Sequence, residues 1–175
     1  MTMNAEQRGN GTTGERSLGA YLHSHLIAAA AGERLFEQAS KAWKDTPHGE
    51  TLTRLTGEVG ADKAALYRIA EELGLAIPAY KKPFAWISAH LASLDPLNPL
   101  HGRSGAAGHL ELEALITAVT GKSLLWKTLI ILSRTDRRIP QDKVAHLLDR
   151  ATEQLRALEN LLLETTTDRF ADTGA

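Results

Sequence analysis

Three polar side chains interrupt the apolar repeats of this chain. They are an imidazole, a carboxylate and an ammonium, groups that can take part in catalysis or ligand binding. His25 falls in the repeat of the first amphipathic stretch, and Asp62 falls in the repeat of the second. Lys122 lies at or beside the repeat of a third stretch. A polar group on a buried helix seam costs stability unless it finds a partner. These residues could therefore form a metal site, part of a small-molecule or catalytic pocket, or a satisfied polar layer.

Two further carboxylates are expected near these residues. The first two helical stretches fold back on each other near residue 45, so Asp62 should lie about one turn from His25, and Glu58 should lie level with Glu33. If the second and third stretches begin at similar heights, Lys122 falls near Asp62 and can form an ion pair with it. The candidate buried polar layer comprises His25, Glu33, Glu58, Asp62 and Lys122.

A carboxylate-bridged dinuclear metal centre would need a ligand pattern that this chain lacks. Bundles with such centres use Glu residues and two Glu-x-x-His pairs, but no Glu here is followed three residues later by His. The predicted seam of the fourth helix offers no ligand, and a protonated Lys122 repels cations. We therefore predict no cofactor. If a metal binds, its ligands are expected among His25, Glu33, Glu58 and Asp62.

Apolar residues recur at three- and four-residue steps, which predicts four amphipathic helices. These helices hold the polar residues described above. The predicted helices are 17–44, 47–74, 105–134 and 140–168, with Ser17 capping the first and Thr46 the second. In the third helix two registers fit, one with Lys122 on the seam and one with Ser123 there. The predicted seam of the fourth helix is Val144, Leu148, Ala151, Leu155, Leu158, Leu162 and Thr165.

Connection lengths predict an all-α, up-down-down-up four-helix bundle of ferritin-like architecture. The first and last helix pairs have short connections and must form hairpins, whereas the long crossover 75–104 lets the third helix run parallel to the second. The crossover contains a short amphipathic piece at 83–94, interpreted as a crossover helix in preference to a membrane anchor. Residues 1–15 and 171–175 are expected to be tails around one domain, 16–170.

Composition excludes several classes of function. Lys and Arg (20) nearly balance Asp and Glu (21), which argues against a nucleic-acid partner. The chain has no Cys, so disulfides, thiolate metal sites and thiol nucleophiles are excluded, and a cytoplasmic location is expected. The N-terminal residues 1–14 lack the apolar core of a signal peptide. The most apolar run, 124–132, is too short to span a bilayer by itself.

Three stretches of the sequence resemble an uncharacterised bacterial family of helical proteins of actinobacterial type. These stretches are YLHSHL at residues 21–26, TPHGETLTRLTGEVGADKAAL at 46–66, and LELEALITAVTGKSLLWKTL at 110–129. They hold His25, Glu58, Asp62, Glu111, Glu113 and Lys122. The resemblance implies a helical fold and brings no activity to transfer.

The favoured interpretation is a non-catalytic helical bundle that binds a protein or a small molecule, with the polar layer specifying the fold. One alternative is a degenerate ferritin-like metal-binding or redox protein that uses His25, Glu33, Glu58 and Asp62. A second alternative is a peripheral membrane protein that docks through residues 83–94. A homodimer is also compatible with the small residues at 28–32, which would allow close helix approach.

Overall fold

The computed structural model describes residues 6–75 and 106–170, and this part of the chain is all-α. It contains four helices and no strand: α1 (Glu6–Ala42), α2 (Gly49–Glu72), α3 (Ala106–Leu132) and α4 (Gln141–Phe170). The predicted all-α class with four packed helices is confirmed. The amphipathic piece at 83–94 lies outside the described residues.

One continuous apolar core joins the four helices. Leu22 and Phe36 of α1, Leu55 of α2, Leu115 of α3 and Leu158 of α4 are all essentially inaccessible to solvent. α1 packs on α2 and α3 packs on α4, and the two hairpins meet where α1 contacts α3 and α2 contacts α4. Of the five polar residues considered above, Asp62 is buried, whereas His25, Glu33, Glu58 and Lys122 are partly buried.

α1 begins earlier than its predicted N-cap. The helix starts at Glu6, and Ser17 lies inside it, where its hydroxyl donates a 3.0 Å hydrogen bond to the carbonyl of Thr13. A serine hydroxyl can bond to the preceding turn in this way and so need not end a helix. The predicted tail 1–15 therefore contributes to α1 from Glu6 onward.

α2 begins two residues later than predicted and ends at Glu72, two residues before the predicted end. Its N-cap is His48, because Thr46 belongs to the preceding turn, where its hydroxyl donates to the carbonyl of Trp43 at 2.7 Å. Gly74 follows the helix with φ of 68°, a left-handed conformation that glycine adopts without steric cost. The amide of Leu75 then bonds to the carbonyl of Ala70 at 3.1 Å and closes the helix end.

α4 uses a different seam from the one predicted. Its buried residues are Val144, Leu147, Ala151, Gln154, Leu158, Leu161 and Thr165. Leu148, Leu155 and Leu162 are only partly buried against the core. Both registers have the same three- and four-residue spacing, and the predicted one has Leu155 where the observed seam has Gln154. The structure places Gln154 there because it has polar partners.

α3 combines the two predicted registers. Leu115 and Leu129 are buried as in the first register, Ser123 is buried as in the second, and the Lys122 side chain is only 15% exposed. Among the described helices, α3 alone is long and apolar enough to cross a membrane by length and composition. Six of its apolar residues are buried in the bundle core: Leu112, Leu115, Val119, Leu125, Trp126 and Leu129.

Candidate functional site

Asp62 of α2 is the centre of the polar layer and is 1% exposed. Its Oδ1 accepts hydrogen bonds from Nε (2.8 Å) and Nη2 of Arg150 on α4. Its Oδ2 accepts one from the ammonium of Lys122 on α3 and a longer one, 3.3 Å, from the amide of Gln154. A buried carboxylate is stable only if its lone pairs and charge are matched, and here both oxygens are fully engaged.

Gln154 of α4 links the two carboxylates of α2 to Lys122. Its amide nitrogen donates to Oε2 of Glu58 at 3.0 Å, and its amide oxygen accepts from Nζ of Lys122 at 2.6 Å. The other oxygen of Glu58 bonds to Arg54, one turn earlier on α2. Glu58 is therefore bonded to an exposed cation, Arg54, whereas Asp62 is bonded to the largely buried Lys122 and the partly exposed Arg150.

Burial and electrostatics act in opposite directions on Lys122. Loss of solvent lowers the pKa of its ammonium below the ordinary value of 10.5, and repulsion by Arg150 adds to this effect. Attraction to Asp62, its hydrogen bond to that carboxylate, and attraction to Glu58 oppose the shift. The net direction is downward, because burial is the largest of these effects. Lys122 is thus held in the layer at an electrostatic cost.

Two of the five predicted site residues lie outside this hydrogen-bonded layer. Glu33 of α1 pairs with Lys63 of α2 and makes no hydrogen bond to Asp62 or Glu58. His25 stacks edge-on against Tyr21, with ring centroids 4.6 Å apart, and burial lowers the pKa of its imidazole below 6.5. The structure therefore brings together Glu58, Asp62 and Lys122, and it adds Gln154 and Arg150.

The described residues contain no group of three or more His, Cys, Asp or Glu side chains arranged to hold a metal ion. The oxygens of Asp62 are already occupied by hydrogen bonds from two cations and an amide. In this layer the charges that balance Asp62 come from Lys122 and Arg150. The geometry offers no support for the degenerate ferritin-like metal site.

A cavity of about 240 Å³ lies beside the layer, between α1, α2 and α3. Two of its lining residues, Ala28 and Thr117, are exposed, so the cavity reaches the surface between α1 and α3. Most of the lining is apolar, and Asp62, Lys122, Lys63 and His25 provide its charged or titratable part. The complete lining is His25, Ala28, Ala29, Gly32, Phe36, Val59, Asp62, Lys63, Leu66, Thr117, Ala118, Val119, Gly121, Lys122, Leu125 and Trp126.

Small residues on two facing helices create this cavity. A Cβ at Gly32 would meet the Cβ of Ala118 at 3.9 Å, so the backbones of α1 and α3 approach closely there. A Cβ at Gly121, one turn further along α3, would meet nothing within 4 Å. The space next to Gly121 is therefore unfilled, and Phe36 and Trp126 are the large side chains of the wall around it.

The indole of Trp126 carries a donor without an acceptor in the described part of the protein. The residue is 1% exposed, and its Nε1 is buried without a hydrogen-bond partner. Trp126 also forms part of the cavity wall. A buried N–H group without an acceptor is uncommon in a native fold and calls for an explanation.

A second polar cluster lies at the far end of the bundle, where α1 ends. The indole of Trp43 donates a 2.7 Å hydrogen bond to Glu111 of α3, and the guanidinium of Arg169 lies 4.5 Å from the centre of the same ring. Burial lowers the pKa of Arg169, and attraction to Glu111 opposes this shift. These contacts join the end of α4 to α1 and α3.

Sequence reasoning missed Gln154 and Arg150. Gln154 was missed because the alternative apolar register of α4 is equally regular, and Arg150 because it reaches Asp62 from a partly exposed position. One signal in the sequence could have identified Gln154. Asp62 lies on the predicted seam of α2 and needs a hydrogen-bond partner, and Gln154 is a polar residue at a seam position in the other register of α4.

No protein family model matches this chain, and neither a curated protein nor a solved structure is similar to it. The resemblance to the bacterial helical family therefore stays a prediction.

Proposed function

We propose that this protein is a non-enzymatic four-helix bundle that binds a small, mostly apolar molecule in the cavity between α1, α2 and α3. The observation that carries the proposal is the cavity itself, about 240 Å³ in volume and lined largely by apolar side chains. A cavity of about 150 Å³ lined by apolar residues is known to remain dry and to accept benzene. The space here is sufficient for a substituted benzene ring.

The polar layer supports a binding role over a catalytic one. Asp62 accepts four hydrogen bonds and has no free lone pair with which to take a proton from a substrate. Its partners span α3 and α4, so the layer ties α2 to both helices of the other hairpin. We infer that the layer fixes the relative positions of the helices and thereby keeps the adjacent cavity open.

For the chain path we infer the up-down-down-up order of ferritin-like bundles. Its support is the order of contacts between α1 and α3: Tyr21 bonds to Thr128 near one end, whereas Trp43 bonds to Glu111 near the other. These pairs indicate antiparallel helices. With hairpins α1–α2 and α3–α4, an antiparallel α1–α3 pair makes α2 and α3 parallel.

Toluene is a suitable probe, because it is apolar and fits the cavity volume. In a titration followed by ¹H–¹⁵N correlation spectra, we expect saturable shifts of the amides of Gly32 and Gly121. Substitution of Gly121 by Leu fills the open space and should abolish these shifts. Gly57→Leu is the control, because Gly57 is an exposed helical glycine away from the cavity.

The proposal would be contradicted if toluene caused no saturable shifts in the wild-type protein. It would also be contradicted if Gly121→Leu, shown to be folded by its own spectrum, bound toluene as the wild-type protein does. Shifts that vanished equally in Gly57→Leu would point to a general effect of leucine on the helices and would likewise count against the cavity.

A further inference from the structure

Among the described residues, Lys122 offers the cavity an unused hydrogen-bond donor, whereas the polar layer offers no unused acceptor. An ammonium has three N–H donors, and Lys122 uses two of them, on Asp62 and Gln154. The indole N–H of Trp126 also has no acceptor among the described residues, but its Nε1 is too deeply buried to meet a molecule in the cavity. By contrast, both oxygens of Asp62 are already engaged by cations and an amide. A molecule that adds an acceptor here completes the hydrogen bonding, whereas a molecule that adds a donor finds no free partner in the layer.

Charge points to the same kind of group. The buried carboxylate of Asp62 is bonded to two cations, Lys122 and Arg150. The neighbouring Glu58 is bonded to a separate cation, Arg54. With Lys122 protonated, this set of side chains carries one positive charge more than it carries negative charges. The side chains of Arg54 and Arg150 are 54% and 35% exposed and lie outside the cavity wall, so Lys122 is the cation of this set that an anion in the cavity would meet.

From this arrangement we propose that the ligand of the cavity is a small apolar monocarboxylate, whose carboxylate accepts a hydrogen bond from Lys122 while its hydrocarbon part fills the space between Gly32, Phe36 and Gly121. This inference rests on the proposed binding function and specifies the chemical class of the ligand. A neutral hydrocarbon would occupy the same space without accepting a hydrogen bond from Lys122.

The test compares phenylacetate with phenylacetamide, which has nearly the same shape and no charge. Isothermal titration calorimetry at pH 7 should give the wild-type protein an affinity for phenylacetate at least about tenfold higher than for phenylacetamide, equivalent to about 1.4 kcal/mol. Lys122→Met should abolish this preference and keep the binding of toluene. Lys63→Met is the matched control, because Lys63 also lines the cavity but pairs with Glu33, and it should keep the preference.

Equal affinities for phenylacetate and phenylacetamide in the wild-type protein would overturn the monocarboxylate proposal, and this comparison needs no variant to fold. A preference that survived in Lys122→Met, or that disappeared in Lys63→Met alone, would also overturn it. In each of these outcomes, binding of toluene would still support the proposal that the cavity binds a small apolar molecule. If toluene did not bind either, the proposed function itself would fail.

Discussion

The carboxylate of Asp62 on α2 is hydrogen-bonded to the ammonium of Lys122 on α3, 60 residues further along the chain. This pair joins the two hairpins of the bundle in its interior. It also forms one boundary of the cavity, since both residues contribute to the cavity wall. The same contact therefore stabilises the fold and determines the electrostatic character of the space beside it.

Loss of the Asp62 charge should strongly destabilise the protein. Asp62→Asn keeps the shape of the side chain but leaves Lys122 and Arg150 in or near the interior without their anion. Removing one partner of a buried ion pair costs about 3–5 kcal/mol, and we expect a loss of this size in the free energy of unfolding, measured with urea. The control Asp149→Asn changes an exposed carboxylate on α4 and should cost less than about 0.5 kcal/mol. Equal effects of the two substitutions would show that Asp62 is not the centre of the layer.

Lys122→Met should cost less stability than Asp62→Asn. After this substitution Asp62 keeps Arg150 and Gln154 as partners, and the cavity gains an apolar side chain of similar length. Burial already lowers the pKa of Lys122, which means that the folded state pays to keep its ammonium charged. Urea unfolding of both variants in one buffer gives the comparison. A larger loss in Lys122→Met would contradict this description of the charge balance.

Gln154→Leu should destabilise the bundle although it makes the core more apolar. The substitution removes the donor to Glu58 and the acceptor for Lys122 at once, and unsatisfied buried polar groups cost about 1–3 kcal/mol. Gln141→Leu, at an exposed position at the start of α4, is the control and should have little effect. A more stable Gln154→Leu protein would indicate that the layer is dispensable.

Two helical glycines should respond in opposite ways to replacement by alanine. At Gly57 a Cβ meets nothing within 4 Å, so alanine should stabilise α2 by about 0.5–1 kcal/mol through its higher helix propensity. At Gly108 a Cβ would lie 1.8 Å from Nη1 of Arg169, which must then leave its place over Trp43. Thermal unfolding should show a higher Tm for Gly57→Ala and a lower one for Gly108→Ala. An increase for Gly108→Ala would mean that the Arg169 contact contributes no stability.

His25 should make the folded protein less stable in mild acid. Burial lowers the pKa of its imidazole below 6.5, so the unfolded chain takes up a proton at a higher pH than the folded protein does. Stability should therefore fall as the pH drops below about 6.5 and continue to fall until the folded-state pKa is passed. His25→Gln should remove this part of the pH dependence. The pKa can be measured directly by NMR, and a value of 6.5 or above would contradict the prediction.

Much of the fold followed from the spacing of apolar residues, and so did the interior position of Asp62. Lys122 could be placed only to within one position, because the broad apolar face of α3 permits two registers. Gln154 was missed because a buried amide is stabilised by its hydrogen-bond partners, and these lie on other helices. Arg150 was missed because a long side chain can reach inward from the edge of a helix.

The cavity could not be predicted from the sequence, for a different reason. Small residues at 28–32 indicate that a neighbouring helix can come close, yet they do not show whether it fills the space. At Gly32 the backbone of α3 does approach, and one turn away at Gly121 the space stays open. That difference depends on the relative positions of whole helices, which the large side chains of the core determine.

The central claim is that the space beside Asp62 and Lys122 is a site for an apolar molecule, and a crystal soaked with iodobenzene tests it most directly. We expect a single strong anomalous iodine peak inside the bundle, bounded by Gly32, Phe36 and Gly121, that is absent from crystals of Gly121→Leu. Ordered water in place of iodobenzene, or a space closed by movement of α1 against α3, would contradict it.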